Sequence, residues 1–164
     1  MESYIPRFRG ALIASILFAL VLTLLPIPEA LLKWRPEWVA LTLIHWALVL
    51  PKHMGIVIAW VTGLLIDALY GSSLGQHALG FTIIVFITLR LRLRINPFTM
   101  THQLTVLLIA LGTYLLIKLW VLGFTGSSPS AWLYWLSLPG SLIIWPVFHW
   151  GMLRLFMTNN RFDD

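Results

Sequence analysis

The chain has 164 residues, 59% hydrophobic and 10% charged, far from the roughly 45–50% apolar and 25% charged composition of soluble domains. Its mean hydropathy is +0.88 and its few charges cluster between apolar runs, so no polar surface is left to cover a soluble core and the bilayer must serve as solvent. Eleven Lys+Arg against six Asp+Glu give +5, which would suggest nucleic acid in a soluble domain but here matters by position; the absence of cysteine excludes disulfides, thiolate metal sites and cysteine nucleophiles.

In chain order, Arg7 and Arg9 precede an apolar run over 11–25, a layout shared by signal peptides and first membrane helices. Pro26-Ile27-Pro28-Glu29-Ala30 lacks the small-x-small pattern of a cleavage site, so the reading is an uncleaved first span over 10–26. The second candidate, 36–50, is short: only 13 residues between Glu37 and Pro51 are free of charge and proline, nearer to re-entrant length. A re-entrant pair would bury Lys52, at a cost of at least about 2.5–3.5 kcal/mol for a charge at mid-depth, so a true crossing is expected. Four more spans follow over 54–71, 74–91, 104–124 and 132–155, joined by loops too short for a separate domain. The sequence thus predicts a single all-α polytopic membrane domain of about six transmembrane helices.

Lys and Arg in short loops set orientation. With both termini inside, the cytoplasmic face receives Arg7, Arg9, Lys52, Arg90, Arg92, Arg94, Arg154 and Arg161, and the outer face only Lys33 and Arg35. The cluster Arg90, Arg92 and Arg94 is expected at the cytoplasmic headgroup surface, as an anchor or a docking site. Trp34, Trp38, Trp132 and Trp135 fall at outer span ends and Trp150 near an inner one, as an aromatic belt requires.

Gly71-Ser72-Ser73-Leu74-Gly75 lacks the GK[ST] ending of a phosphate loop and reads as a helix break; the Gly71–Gly75 spacing also fits a small-residue packing face. His45, His53, His77, His102 and His149 show no i, i+4 pairing or carboxylate neighbours, so no metal or other cofactor is expected. Ser72 and Ser73 have no base in sequence reach, and no enzyme activity is expected. Asp67 and Lys118 are the informative polar residues, because ionisable groups inside a membrane suggest function by default. Both fall in the outer third of their spans. They are candidates for a buried ion pair that sets helix register, or for a partner or ligand contact.

Trp34-Arg35-Pro36-Glu37-Trp38-Val39, with the apolar run to Leu50-Pro51, resembles the start of the second span of the MreD family. So does Gly63-Leu64-Leu65-Ile66-Asp67-Ala68-Leu69-Tyr70-Gly71-Ser72-Ser73-Leu74-Gly75, where an intramembrane aspartate precedes a G-S-x-x-G turn. The resemblance runs from the first span through the arginine cluster; the last 60 or so residues match only in hydropathy and length, so Lys118 inherits nothing from it. It implies a non-enzymatic inner-membrane component of the machinery that inserts side-wall peptidoglycan in rod-shaped bacteria. Its implied partners are membrane lipid, a bitopic MreC-like protein and, through it, an MreB-like filament, a SEDS glycosyltransferase and a class B penicillin-binding protein. It also implies the fold of the substrate-binding subunit of energy-coupling-factor transporters. The alternative function is therefore vitamin-type binding, but Asp67, Lys118, Thr82, Thr88, Thr113 and His45 are most of the polar groups the spans offer to a ligand. No nucleic-acid partner is expected.

Overall fold

The computed structural model describes residues 5–26, 28, 34–72, 75–94, 99–124 and 135–157. These form six helices: α1 (Ile5–Leu24), α2 (Trp38–Val49), α3 (Ile56–Tyr70), α4 (Gln76–Arg92), α5 (Met100–Phe124) and α6 (Ser137–Met157). Local chemistry sets their ends. α2 lies between Pro36 and Pro51, and proline disfavours helix in the residue before it. α3 stops where Gly71 turns left-handed at φ 60°, and its closing turn is completed by Ser72 N–H donating to the Asp67 carbonyl at 3.2 Å. α5 begins four residues before the hydropathy-based span, at Met100 rather than 104, because the polar turn Thr101-His102-Gln103 is helical although not apolar.

Side-chain contacts fix the helix directions. Arg35 donates to the Leu22 and Thr23 carbonyls, and Trp46 Nε1 to Ser15 Oγ, so α2 runs antiparallel to α1. Glu37 N–H meets Ser141 Oγ while His45 meets His149, eight residues further along each chain segment, so α2 and α6 run parallel. Gln103 meets His149 and Lys118 meets Glu37, which sets α5 against both. Asp67 with His77 makes α3 and α4 an antiparallel pair. Odd and even helices therefore run in opposite directions, and the bundle has an Asp67 end and an arginine end.

α2 is the hub. Its residues from Val39 to Leu48 are all buried, so it is enclosed on every side rather than striped. At 12 residues it is about 18 Å long, short of the roughly 30 Å hydrocarbon core. Around it the pattern is inverted relative to a soluble bundle. α1 shows Ile13, Leu17, Phe18 and Val21 to the outside, α3 shows Val57, Trp60, Val61 and Leu65, α5 shows Leu108, Leu116 and Trp120, and α6 shows Ile143 and Val147. Such stripes at three- and four-residue spacing on several helices far exceed the apolar patches soluble proteins expose, and they make an exterior suited to hydrocarbon. Met100–Gly123 is long and apolar enough to cross a membrane by itself; Gly10–Leu24, Trp38–Val49 and Ile56–Tyr70 are apolar but shorter.

One close approach holds α3 to α4. A Cβ on Gly63 would lie 2.2 Å from the Ala78 Cα, so only glycine fits there. Gly71 and Gly75 do not form the packing face that their spacing suggests: a Cβ on either would meet nothing within 4 Å, and both carry positive φ (60° and 101°) as turn residues.

Candidate functional site

Asp67 lies one helical turn before the end of α3 and is 1% exposed, so its carboxylate must find donors within the protein. The turn that Gly71 and Gly75 permit folds the first residues of α4 back onto it. Oδ1 accepts from Ser72 Oγ at 2.9 Å, from the His77 backbone N–H at 3.0 Å and from His77 Nδ1 at 2.7 Å. Oδ2 accepts from the Gly75 and Ala78 N–H groups at 2.8 and 3.4 Å. The opening N–H groups of α4 have no intrahelical acceptor, and its N-cap, Gly75, has no side chain to supply one. Asp67 supplies it from the preceding helix, with its charge at the positive end of the α4 dipole.

Ser72, Asp67 and His77 are the residue types of a hydrolase triad in the wrong order. Hydroxyl and imidazole both donate to the same carboxylate oxygen, so the imidazole does not face the hydroxyl it would have to deprotonate. The arrangement is a capping knot. His77 is covered by Tyr70, stacked at 6.1 Å, with Phe81 at 6.0 Å and Tyr114 at 6.4 Å between ring centroids.

Lys118 does not pair with Asp67. Its Nζ lies 3.2 Å from Glu37 Oε1 and 5.5 Å from the centroid of the Tyr114 ring. The reason is steric and electrostatic: Asp67 is enclosed and already saturated, whereas Glu37, just before α2, is partly exposed and within reach of a long snorkelling stem. The expected Asp67–Lys118 pair is thus replaced by two pairs, Asp67–His77 and Glu37–Lys118. Ser73, next to Ser72 in the turn, lies outside the described residues.

A second polar network lies deeper, beginning eight residues, or about 12 Å, along α2 from Glu37. Trp145 Nε1 donates to Gln103 Oε1 at 3.1 Å, and Gln103 Nε2 faces His149 Nε2 at 3.3 Å. An amide nitrogen only donates, so His149 Nε2 accepts, and its Nδ1–H donates to His45 Nδ1 at 3.0 Å. Trp145 stacks on His149 with centroids 5.4 Å apart. Nothing local in the sequence points to this pair, since 104 residues separate His45 from His149 and neither has a local partner pattern. The Asp67–His77 contact was closer to hand: a polar residue two positions after the Gly75 turn is where a helix N-terminus needs a partner. Among the described residues no group of three His, Cys, Asp or Glu side chains is placed to hold a metal ion.

At the opposite end, Arg90, Arg92 and Arg94 lie at the close of α4, where basic groups complement unpaired helix carbonyls.

An all-helical bundle with an apolar exterior, a hub helix buried on all sides and two buried polar networks defines a membrane protein held together by packing and short polar contacts. The chain belongs to the MreD family, whose model, described as rod shape-determining protein MreD, matches residues 7–156. It is similar to the rod shape-determining protein MreD of Haemophilus influenzae, at 28% identity over 138 residues that cover 82% of this chain and 83% of that protein. Membership carries a role in determining rod cell shape, in a family of shape-determining proteins rather than a known family of enzymes. No solved structure matches this chain, and the expected likeness to the transporter-subunit fold gains no support.

Proposed function

We propose that this protein is a six-span inner-membrane scaffold of the wall-elongation machinery, with both termini and the arginine end in the cytoplasm and the Asp67 end outside. Its helix faces and short loops bind a bitopic MreC-like protein, and through it the MreB-like filament, the SEDS glycosyltransferase and the class B penicillin-binding protein. The observation that carries this reading is where the polar groups go. Thr88 and Thr113 donate to carbonyls of their own helices, His45 is bonded to His149, Asp67 is saturated by the turn, and Lys118 is held by Glu37. Five of the six groups a small ligand would need are committed to the protein, Thr82 Oγ1 being buried without a partner among the described residues, and side chains of the hub such as Leu41, Leu43, Ile44 and Ala47 fill the bundle at 0% exposure. That favours a packed scaffold over a vitamin-binding subunit. The turn built on Asp67, Gly71 and Gly75 then shapes the outer surface that a periplasmic partner meets.

Two measurements test it. Single cysteines at Lys52 and Ser127 in this cysteine-free chain, probed on intact cells with an impermeant thiol reagent, should label only at Ser127, which lies outside the described residues. Labelling at Lys52 from outside would remove the six-span topology. Purification in mild detergent should recover a bitopic membrane protein as the main partner; a small molecule retained on native mass spectrometry, with no protein partner, would reverse the assignment.

A further inference from the structure

The arginine end carries a feature that topology does not require. On α4, the Arg90 guanidinium carbon lies 5.2 Å from the centroid of the Phe86 ring, four residues earlier; on α6, that of Arg154 lies 4.0 Å from the Trp150 ring, again four residues earlier. α4 and α6 run in the same direction, so both pairs sit at the same end of the bundle. Both rings belong to the apolar exterior, with Phe86 44% and Trp150 57% exposed. A side chain that reaches back over the preceding turn holds its guanidinium one turn deeper than the helix end, along the lipid-facing side.

Beside the first pair is an open groove of about 540 Å³ lined by Arg90, Leu91, Leu93 and Arg94. Leu93 is 80% exposed, so the groove joins guanidinium groups to bare aliphatic surface. The described acidic residues, Glu37 and Asp67, both lie at the opposite end, so no carboxylate among the described residues answers these arginines.

We infer that the groove at the end of α4 is a binding site for an anionic phospholipid. The phosphodiester is held by Arg90, two residues before the end of α4, and Arg94, two residues beyond it, which both line the groove, and the acyl chain lies along Leu91 and Leu93 toward Phe86. The chemistry favours lipid over a soluble acidic protein, because a guanidinium drawn back over an aromatic ring toward the hydrocarbon is reached by a headgroup in the same layer. Trp150–Arg154 supplies a second, weaker anchor of the same kind. The inference rests on the membrane placement proposed above, but not on which side of the membrane this end faces.

The test uses the purified full-length protein, delipidated in mild detergent. It is titrated with dioleoyl phosphatidylglycerol, cardiolipin, dioleoyl phosphatidylcholine and chain-free glycerol phosphate, and followed by native mass spectrometry and thermal shift. The anionic lipids should bind and stabilise in preference to phosphatidylcholine, and glycerol phosphate should do neither. Arg90→Gln with Arg94→Gln should weaken phosphatidylglycerol roughly thirtyfold and leave phosphatidylcholine unchanged, as two lost basic contacts imply. Arg90→Lys with Arg94→Lys, which keeps the charge without the planar fork, should fall between, and it reads the site if the glutamine variant fails to fold. Equal binding of the charged and neutral lipids by the unaltered protein overturns the proposal. So does a glutamine variant that keeps its lipid affinity and loses only a cytoplasmic protein partner, which would make the groove a protein dock. Lipid selectivity that persists while Lys52→Cys is labelled from outside would instead sink the six-span topology and spare the site.

Discussion

Asp67 finds every partner within 11 residues of chain, in one turn between consecutive helices, whereas His45 reaches its partner across 104. The first network closes locally and is nearly saturated by backbone N–H groups, whose positions follow once α4 begins. The second exists only if α2, α5 and α6 are already docked at the correct depth. A membrane bundle without a strong hydrophobic drive between its helices depends on such devices. One stitches neighbours together, and the other reports whether distant helices have been assembled in register.

The comparison is broken most directly at Asp67. Asp67→Ala strands three backbone donors and the His77 ring, and should cost about 3–5 kcal/mol in a reversible unfolding titration in detergent. Asp67→Asn, which keeps one acceptor oxygen, should cost less. In double-mutant cycles Asp67 should couple strongly to His77, while its coupling to Lys118 should stay within about 0.5 kcal/mol; strong coupling to Lys118 would show that the two pairs described here are wrongly divided.

Next in size is the contact that lets the local network form. Gly63→Leu drives a side chain into the Ala78 backbone and should cost about 3 kcal/mol by overpacking, whereas Gly112, which has open space around it, should accept alanine with a gain of up to about 1 kcal/mol. Equal effects at the two glycines would rule out close approach as what holds α3 to α4.

For the long-range network the expected signature is non-additivity. His45→Phe or His149→Phe alone should cost about 1–3 kcal/mol, because each leaves a buried polar partner unanswered. The double variant should cost less than the sum. Purely additive losses would mean that the histidines act by volume and not through their shared proton.

The smallest effect belongs to the pair that looks most like a site. Glu37 and Lys118 are 23% and 21% exposed, so Glu37→Gln should lower stability by no more than about 1 kcal/mol. A larger loss on thermal unfolding would move Glu37 into the core of the fold.

Read by itself, the sequence determined the class of the molecule. Apolar runs with few charges admit only a helical membrane protein, because hydrocarbon cannot satisfy backbone groups and a helix satisfies its own. It also located the break at Gly71 and Gly75 and marked Asp67 as unusual, since glycine at a turn and a carboxylate in an apolar run are local signals. The functions of those residues were less legible: the glycine spacing suggested packing, where positive φ was the actual requirement. Tertiary structure alone decided that Asp67 meets His77 rather than Lys118, that Gly63 is the glycine under contact, and that His45 and His149 share a hydrogen bond. It also decided that the short second helix is the hub. Apolar periodicity carries little information in a membrane, where lipid and protein interior are equally apolar, so which face of a helix turns inward is settled by shape and by the few polar groups that must find each other.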